Sequence, residues 1–196
     1  VQSIEQLEEI INRAIKSDLC SFDLETTGLN TKILKGRCAS HVVGYSLSFE
    51  PKIGYYIPIR HEVETESGHN INPEKTNILI KKLIDEAKSI VGHNFLKFDA
   101  EMLFAAEGID LRDVGASRDY PYHDTYMLAR LAGKNPARLK YLSENLIGKE
   151  MLEITDVVDG KEINFASIKP AEGLLYAASD AICTYDLFFD PEIQKP

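Results

Sequence analysis

The sequence has little that would hold it together covalently or place it in a membrane. Its 196 residues include only three cysteines, Cys20, Cys38 and Cys183, far apart and without a CxxC pair. That pattern argues against a disulfide framework and a thiolate zinc site, and it fits a reducing compartment, the cytoplasm or an organelle, with each cysteine filling core. No stretch approaches the roughly 18 to 20 consecutive apolar residues that cross a bilayer, and the opening VQSIEQLEEI is acidic and amphipathic rather than a signal sequence. Internal repeats and low-complexity tracts are missing. So is an excess of positive charge: 22 Lys and Arg against 31 Asp and Glu leave a formal net charge of −9. Contacts to phosphates usually come from a surplus of basic side chains, so composition alone points away from a nucleic-acid partner. The objection weakens if several carboxylates hold metal ions, because the bound cations then become the largest local positive charges.

What is present suffices for one compact domain: 44% of the residues are hydrophobic, in a length ordinary for a single core. Residues 1–196 are expected to form one domain and a monomer. A start at Val1 and an end in DPEIQKP suggest a segment of a longer polypeptide.

Apolar spacing predicts a helix over 4–16 and a short buried strand over 19–24 that stops at a Thr-Thr-Gly turn. Between 38 and 59, CASHVVGYSLSF and GYYIPI, separated by EPKI, read as an antiparallel pair. A polar loop then leads through Asn72-Pro73 into an amphipathic helix. SIVG (89–92) reads as a strand, followed by a helix through FDAEMLFAAEG that Gly108 stops. YHDTYMLARLAG and LKYLSENLIG read as further helices, and AEGLLYAASDAICTYDLFF as a long one opened by Pro170. The class is α/β, a mixed sheet of about five strands, an antiparallel meander followed by parallel strands, flanked by helices.

Asp23 and Glu25 are two apart on the first strand, so the period of two puts both carboxylates on one face at its carboxyl end, where α/β sheets tend to bind ligands. An Asp-x-Glu pair alone is ordinary surface chemistry. In SFDLETTGL, however, two anions stand side by side in an apolar strand with no basic residue adjacent, a repulsion that cations would relieve. Hard oxygen ligands without His or Cys nearby favour Mg²⁺ or Mn²⁺ over zinc. Tyr176 and Asp180 are four apart in the last long helix and therefore stack on one face. Asp99 opens the helix after SIVG, where it either caps the helix or contributes a ligand. His41, His61, His69, His93 and His123 show no ligand spacing and are read as structural or solvated.

Three blocks in order, FDLETTGL, VGHNFLKFDAEML and YAASDA, resemble the motifs of the four-carboxylate (DEDD) 3′→5′ exonucleases. The likeness is closest to the proofreading domain of family A, DNA polymerase I-like, enzymes. It extends through YYIPIRH, HDTYMLARL and INFASIKPAEGLLYAASDA, and so over nearly the whole chain. Tyr176, four residues before Asp180, indicates the tyrosine subclass; the histidine subclass would need His at position 175, which is Leu.

The resemblance implies a ribonuclease H-like fold and an enzyme that hydrolyses phosphodiester bonds at the 3′ end of single-stranded or frayed DNA, releasing nucleoside 5′-monophosphates. It implies two divalent ions, Mg²⁺ or Mn²⁺, the first on Asp23, Glu25 and Asp180, the second on Asp23 and, through water, Asp99. Tyr176 would orient the attacking water. Thr26, Leu29, Asn94 and Phe98 would contact substrate, and Lys32, Lys35, Arg37, Arg138 and Lys140 are candidates for phosphate contacts. A polymerase domain in the same or a partner chain is the implied partner.

The chain departs from the family in two places. Four residues rather than three separate Asn94 from Asp99, and the stretch 148–160 lacks an aromatic that helps hold a DNA end, leaving Met151, Leu152 or Ile154 for that role. Two other readings share the motifs: an exoribonuclease that trims RNA 3′ ends, and an exonuclease fold kept as a structural or DNA-binding module. Such modules lose carboxylates, whereas all four are here.

Overall fold

A computed structural model of the protein describes residues 1–34, 36–63, 65, 68–111, 122–153 and 164–194. Helix α1 (Ile4–Lys16) begins where the Ser3 side chain accepts a hydrogen bond from the Gln6 amide, and it buries Leu7, Ile10, Ile11 and Ala14. Strand β1 (Cys20–Thr26) follows. A small ladder of β2 (Ile33–Leu34) and β3 (Arg37–Cys38) then leads to β4 (Val42–Glu50) and β5 (Ile53–Pro58). Helix α2 (Pro73–Glu86) starts at Asn72, whose side chain accepts from the Lys75 amide, with Pro73 preset for the first turn.

After β6 (Ile90–Gly92), helix α3 (Asp99–Met102) passes into a π-helical turn over Leu103–Glu107 that ends at Gly108 in the left-handed conformation. The Glu107 carboxylate is gripped by both Arg60 guanidinium nitrogens, at 2.6 and 3.0 Å, which ties this turn to the end of β5. Strand β7 (Tyr122–Asp124), helices α4 (Thr125–Leu131) and α5 (Leu139–Leu146), a 3-10 turn (Phe165–Ser167), helix α6 (Pro170–Phe188) and the short α7 (Pro191–Gln194) follow.

The main sheet has five strands in the order β5-β4-β1-β6-β7, with β5, β4 and β1 antiparallel and β1, β6 and β7 parallel. This is the mixed sheet expected from the sequence. Its fifth strand is not where the sequence pointed, since Tyr122–Asp124 had read as the start of a helix. Three residues are too few to show a period of two, and pairing with β6, Ile90 to Tyr122 and Gly92 to Asp124, decides their conformation. Strand β1 also outlasts its expected end, because its pairing with β4 continues past a bulge to Thr26.

The two faces of β1 differ. Cys20, Phe22 and Leu24 join Tyr45 and Leu47 in the main hydrophobic core with α1 and α2. Ser21, Asp23 and Glu25 pair with Ser48, Ser46 and Gly44, a polar face. Helix α6 crosses β1, β4, β5 and β6, and it buries Ala177, Ala178 and Ala181 in doing so. Small residues let the helix approach: a Cβ at Gly54 would lie 2.7 Å from the Ala178 carbonyl oxygen.

Gly44 is the partner of Glu25, and a Cβ there would stand 2.4 Å from the hydroxyl oxygen of the buried Tyr56. Gly44→Ala is therefore expected to destabilise the protein by about 1–3 kcal/mol, measured by denaturant unfolding, because Tyr56 has little room to retreat.

Candidate active site

The carboxylates of Asp23, Glu25 and Asp180 meet where α6 crosses β1. Each offers an oxygen, and the three oxygens lie within 4.8 Å of one another. Alternation along β1 aims Asp23 and Glu25 at the helix, and Asp180 comes from the face of α6 that covers them. Glu25 is buried, while Asp23 and Asp180 are partly so. Among the described residues, Glu25 Oε1 and Asp180 Oδ1 are both enclosed without a hydrogen-bond partner.

Burial and mutual repulsion act in one direction on this group. Loss of water pushes the Asp23 carboxyl up to about 7, although the nearby Leu24 amide and Ser46 hydroxyl dipoles work against the shift. Burial, and then the neighbouring Asp23, Asp180 and Asp99, hold Glu25 well above the usual carboxylate range. Asp180 is raised by burial and by Asp23, and the nearby Lys140 partly offsets this. Unpartnered, crowded oxygens are what a hard divalent cation would satisfy, since oxygens bound at about 2.0–2.6 Å from one ion lie within roughly 5 Å of each other. With no His or Cys in the group, the donor set suits an ion of the Mg²⁺ or Mn²⁺ kind.

Asp99 stands apart from that trio. It is buried and accepts the Leu24 amide at 3.1 Å, which brings it to the β1 backbone beside Asp23. Phe98, not Asp99, occupies the N-cap position of α3 and makes no side-chain cap bond. Burial and the Asp23 charge raise Asp99 as well.

Asn94 adopts a left-handed conformation (φ 62°), and its carbonyl accepts the amides of Lys97 and Phe98 at 3.3 and 3.0 Å. This tight turn takes up the four residues between Asn94 and Asp99. Asp124 holds it. Its carboxylate accepts the amides of Asn94 (2.9 Å), Leu96 (3.2 Å), Tyr126 (2.9 Å) and Met127 (3.3 Å). Sequence reasoning passed over Asp124, whose only local signal is that of a helix cap; the two bonds to the 94–96 turn are between segments.

Tyr176 lies one helical turn before Asp180, its ring 5.8 Å from that of Phe165, with the Lys140 ammonium 5.0 Å above its centre. Phe165 in turn packs edge-on to Tyr56 and against His61. The Tyr56 hydroxyl donates to His61 Nε2 at 2.6 Å, and His61 Nδ1 donates to the Ile168 carbonyl at 2.7 Å. A carbonyl can only accept, which assigns the neutral ring's proton to Nδ1. Burial, then Asp180, keeps the Tyr176 hydroxyl protonated far above its ordinary range.

Thr26 ends β1, its hydroxyl donating to the Gly28 carbonyl, and Leu29 beyond it is 80% exposed. Lys32, Arg37 and Arg138 are exposed, and Lys140 is half-buried beside the carboxylates; Lys35 and Ile154 lie outside the described residues. An open cavity of about 450 Å³ runs outward from Asp180 along the first turn of α5. Met151 and Leu152 do not line it. Cys20, Cys38 and Cys183 are free and buried, and burial pushes the Cys20 thiol up to about 12. Among the described residues no helix is long and apolar enough to cross a membrane.

Residues 1–190 match the family described as 3′-5′ exonuclease. The chain therefore belongs to the DEDD 3′→5′ exonucleases and is like the proofreading domain of DNA polymerase I. DNA polymerase I of Borreliella burgdorferi is 31% identical over 186 residues, which is 93% of this chain and 18% of that protein. The chain thus spans less than a fifth of that relative's length. Two solved structures share the fold. Brucella melitensis NrnC bound to pGG has a TM-score of 0.59 at 20% identity, covering 89% of this chain and 72% of its own. Escherichia coli RNase D, an exoribonuclease, has a TM-score of 0.60 at 14% identity, covering 99% of this chain and 44% of its own.

A consequence concerns stability without metal. In an unfolded chain Asp titrates near ~3.9. Folded Asp23 titrates at about 7, so between these values the folded protein keeps a proton that the unfolded chain has lost, and stability falls as pH rises through the window. In chelator, the melting temperature is expected to fall between about pH 4 and pH 7, less steeply for Asp23→Asn, and Mn²⁺ should flatten the parental slope. Equal slopes for parent and Asp23→Asn in chelator would contradict the assignment.

Proposed function

We propose that this domain removes nucleotides one at a time from the 3′ end of single-stranded or frayed DNA, and that it serves as the proofreading exonuclease of a longer polymerase polypeptide. The observation that carries the reading is the trio Asp23, Glu25 and Asp180, two of whose buried oxygens lack partners among the described residues, beside Tyr176 and an open cavity. The DNA substrate is supported by the 31% identity to a DNA polymerase I.

Asp23, Glu25 and Asp180 would hold one divalent ion, and Asp23 and Asp99 a second. Bound there, such ions lower the pKa of water and neutralise charge on the attacking and leaving oxygens of an in-line displacement. In the reaction a water oxygen bonds to the terminal phosphorus and the bond to the preceding nucleotide's 3′ oxygen breaks. That oxygen takes up a proton, leaving a 3′-hydroxyl on the shortened strand and a nucleoside 5′-monophosphate.

Tyr176 keeps its proton at neutral pH and is therefore no general base. Its hydroxyl orients the water, with the ring held by Phe165 and Lys140. Thr26 and Asn94 contact the terminal nucleotide, Leu29 wedges beside its base, and Phe98 lines the approach to Asp99. Arg138 and Lys140 supply positive charge for the backbone phosphates. A strand reaches these groups only unpaired, so a mismatched end, which melts at lower cost, is cut first.

The test is release of mononucleotides from 3′-labelled strands with Mn²⁺, run on DNA and RNA of the same sequence. DNA is expected to be the better substrate, and faster cutting of RNA would replace the DNA reading by that of an exoribonuclease. Asp23→Ala should fall below about a hundredth of the parental rate. Tyr176→Phe should lose less than the roughly 10²-fold that removal of a proton-transfer group costs.

A further inference from the structure

We propose that Tyr141 is a stacking platform for a nucleobase of the single strand, one that lies beside and not at the terminal nucleotide. This deepens the reading above and rests on it. The cavity that opens from Asp180 has a volume of about 450 Å³, inside the range of about 300–1,000 Å³ typical of small-molecule sites, and Arg138, Leu139, Lys140 and Tyr141 line it with Glu144 and Glu153.

Helix α5 explains how these side chains come to share one wall. Leu142 and Ser143 face inward and are buried, so the residues just before them turn outward, over the cavity. Lys140 reaches toward the catalytic side, its ammonium above the Tyr176 ring and 3.0 Å from the Glu153 carboxylate. Tyr141 is 44% exposed. Among the described residues its ring has no aromatic partner and its hydroxyl no hydrogen bond; the Asn145 side chain bonds only its backbone carbonyl. Arg138 is exposed and has no ion pair among the described residues.

An unpartnered aromatic face that shares a cavity with two cations and with Asp180 of the carboxylate trio matches the repeating chemistry of a single strand. Its bases offer flat apolar faces, and its phosphates offer charge at each step. The cations matter more here because the chain as a whole carries a net charge of −9. Stacking is sequence-tolerant, since every base has a π-face, so the platform suits an enzyme that must accept any sequence.

The experiment compares Tyr141→Ala and Tyr141→Phe with the parent on single strands, including strands with one abasic nucleotide at successive positions from the 3′ end. Tyr141→Ala is expected to weaken substrate use roughly 5- to 150-fold, mostly in KM, with an unchanged melting temperature. Tyr141→Phe should stay near the parent. The parent should show one position at which an abasic nucleotide raises KM, and Tyr141→Ala should lose that sensitivity.

Fluorescence anisotropy of a labelled oligothymidylate with Asp23→Ala, against the Asp23→Ala, Tyr141→Ala double variant, makes the same comparison without turnover. Equal affinities and an unchanged abasic profile overturn the proposal. A Tyr141→Phe loss as large as that of Tyr141→Ala also overturns it, by pointing to the hydroxyl instead of the ring. If the parent cuts and Asp23→Ala does not, while Tyr141→Ala equals the parent, the platform fails and the exonuclease reading stands.

Discussion

Repulsion between carboxylates that the fold does not allow to separate is the constraint on which the rest depends. Asp23 and Glu25 project from the middle of a five-stranded sheet, Asp180 descends from the helix that covers it, and Asp99 accepts a backbone amide of the same strand. Side chains on a loop could swing apart to relieve such crowding. Those on β1 and α6 cannot, because Phe22 and Leu24 anchor one side of the strand in the core and the alanines of α6 set its distance from the other. The cost is visible in the upward push on all four acids. Cations bound there would convert that cost into affinity and would suit a chain of net charge −9 to a polyanionic substrate.

Around this centre, the supporting contacts are local in chemistry but distant in sequence. The ring of Tyr176 is set by Phe165, which is set by His61 and Tyr56, whose hydroxyl fills the space left by Gly44 opposite Glu25. On the other side, Asp124 clamps the turn that carries Asn94 and leads to Asp99.

How much of this was legible in the sequence follows from which contacts are periodic. The alternation SFDLET shows a polar and an apolar face of β1, and the four-residue spacing of Tyr176 and Asp180 shows one helical face. Strand β7 was not legible, because three residues carry no period and their partner, β6, is some thirty positions away. Position alone left Asp99 between a cap and a ligand, and only the bond to Leu24 separates the two. Asp124 reads locally as a cap, which it is, while its second role depends on β6 and β7 lying side by side. Amphipathic spacing places Tyr141 on the outer face of α5 but is silent about the cavity it lines.

The most direct measurement of the central claim is calorimetric titration of Mn²⁺ near pH 6.5, repeated in buffers of different ionisation enthalpy. Carboxyls held protonated by burial and crowding must lose their protons to bind the ion. The account predicts saturable binding that releases protons to the buffer, lost in both Glu25→Gln and Asp180→Asn. Binding that is equal in those variants, or that exchanges no protons, would contradict it.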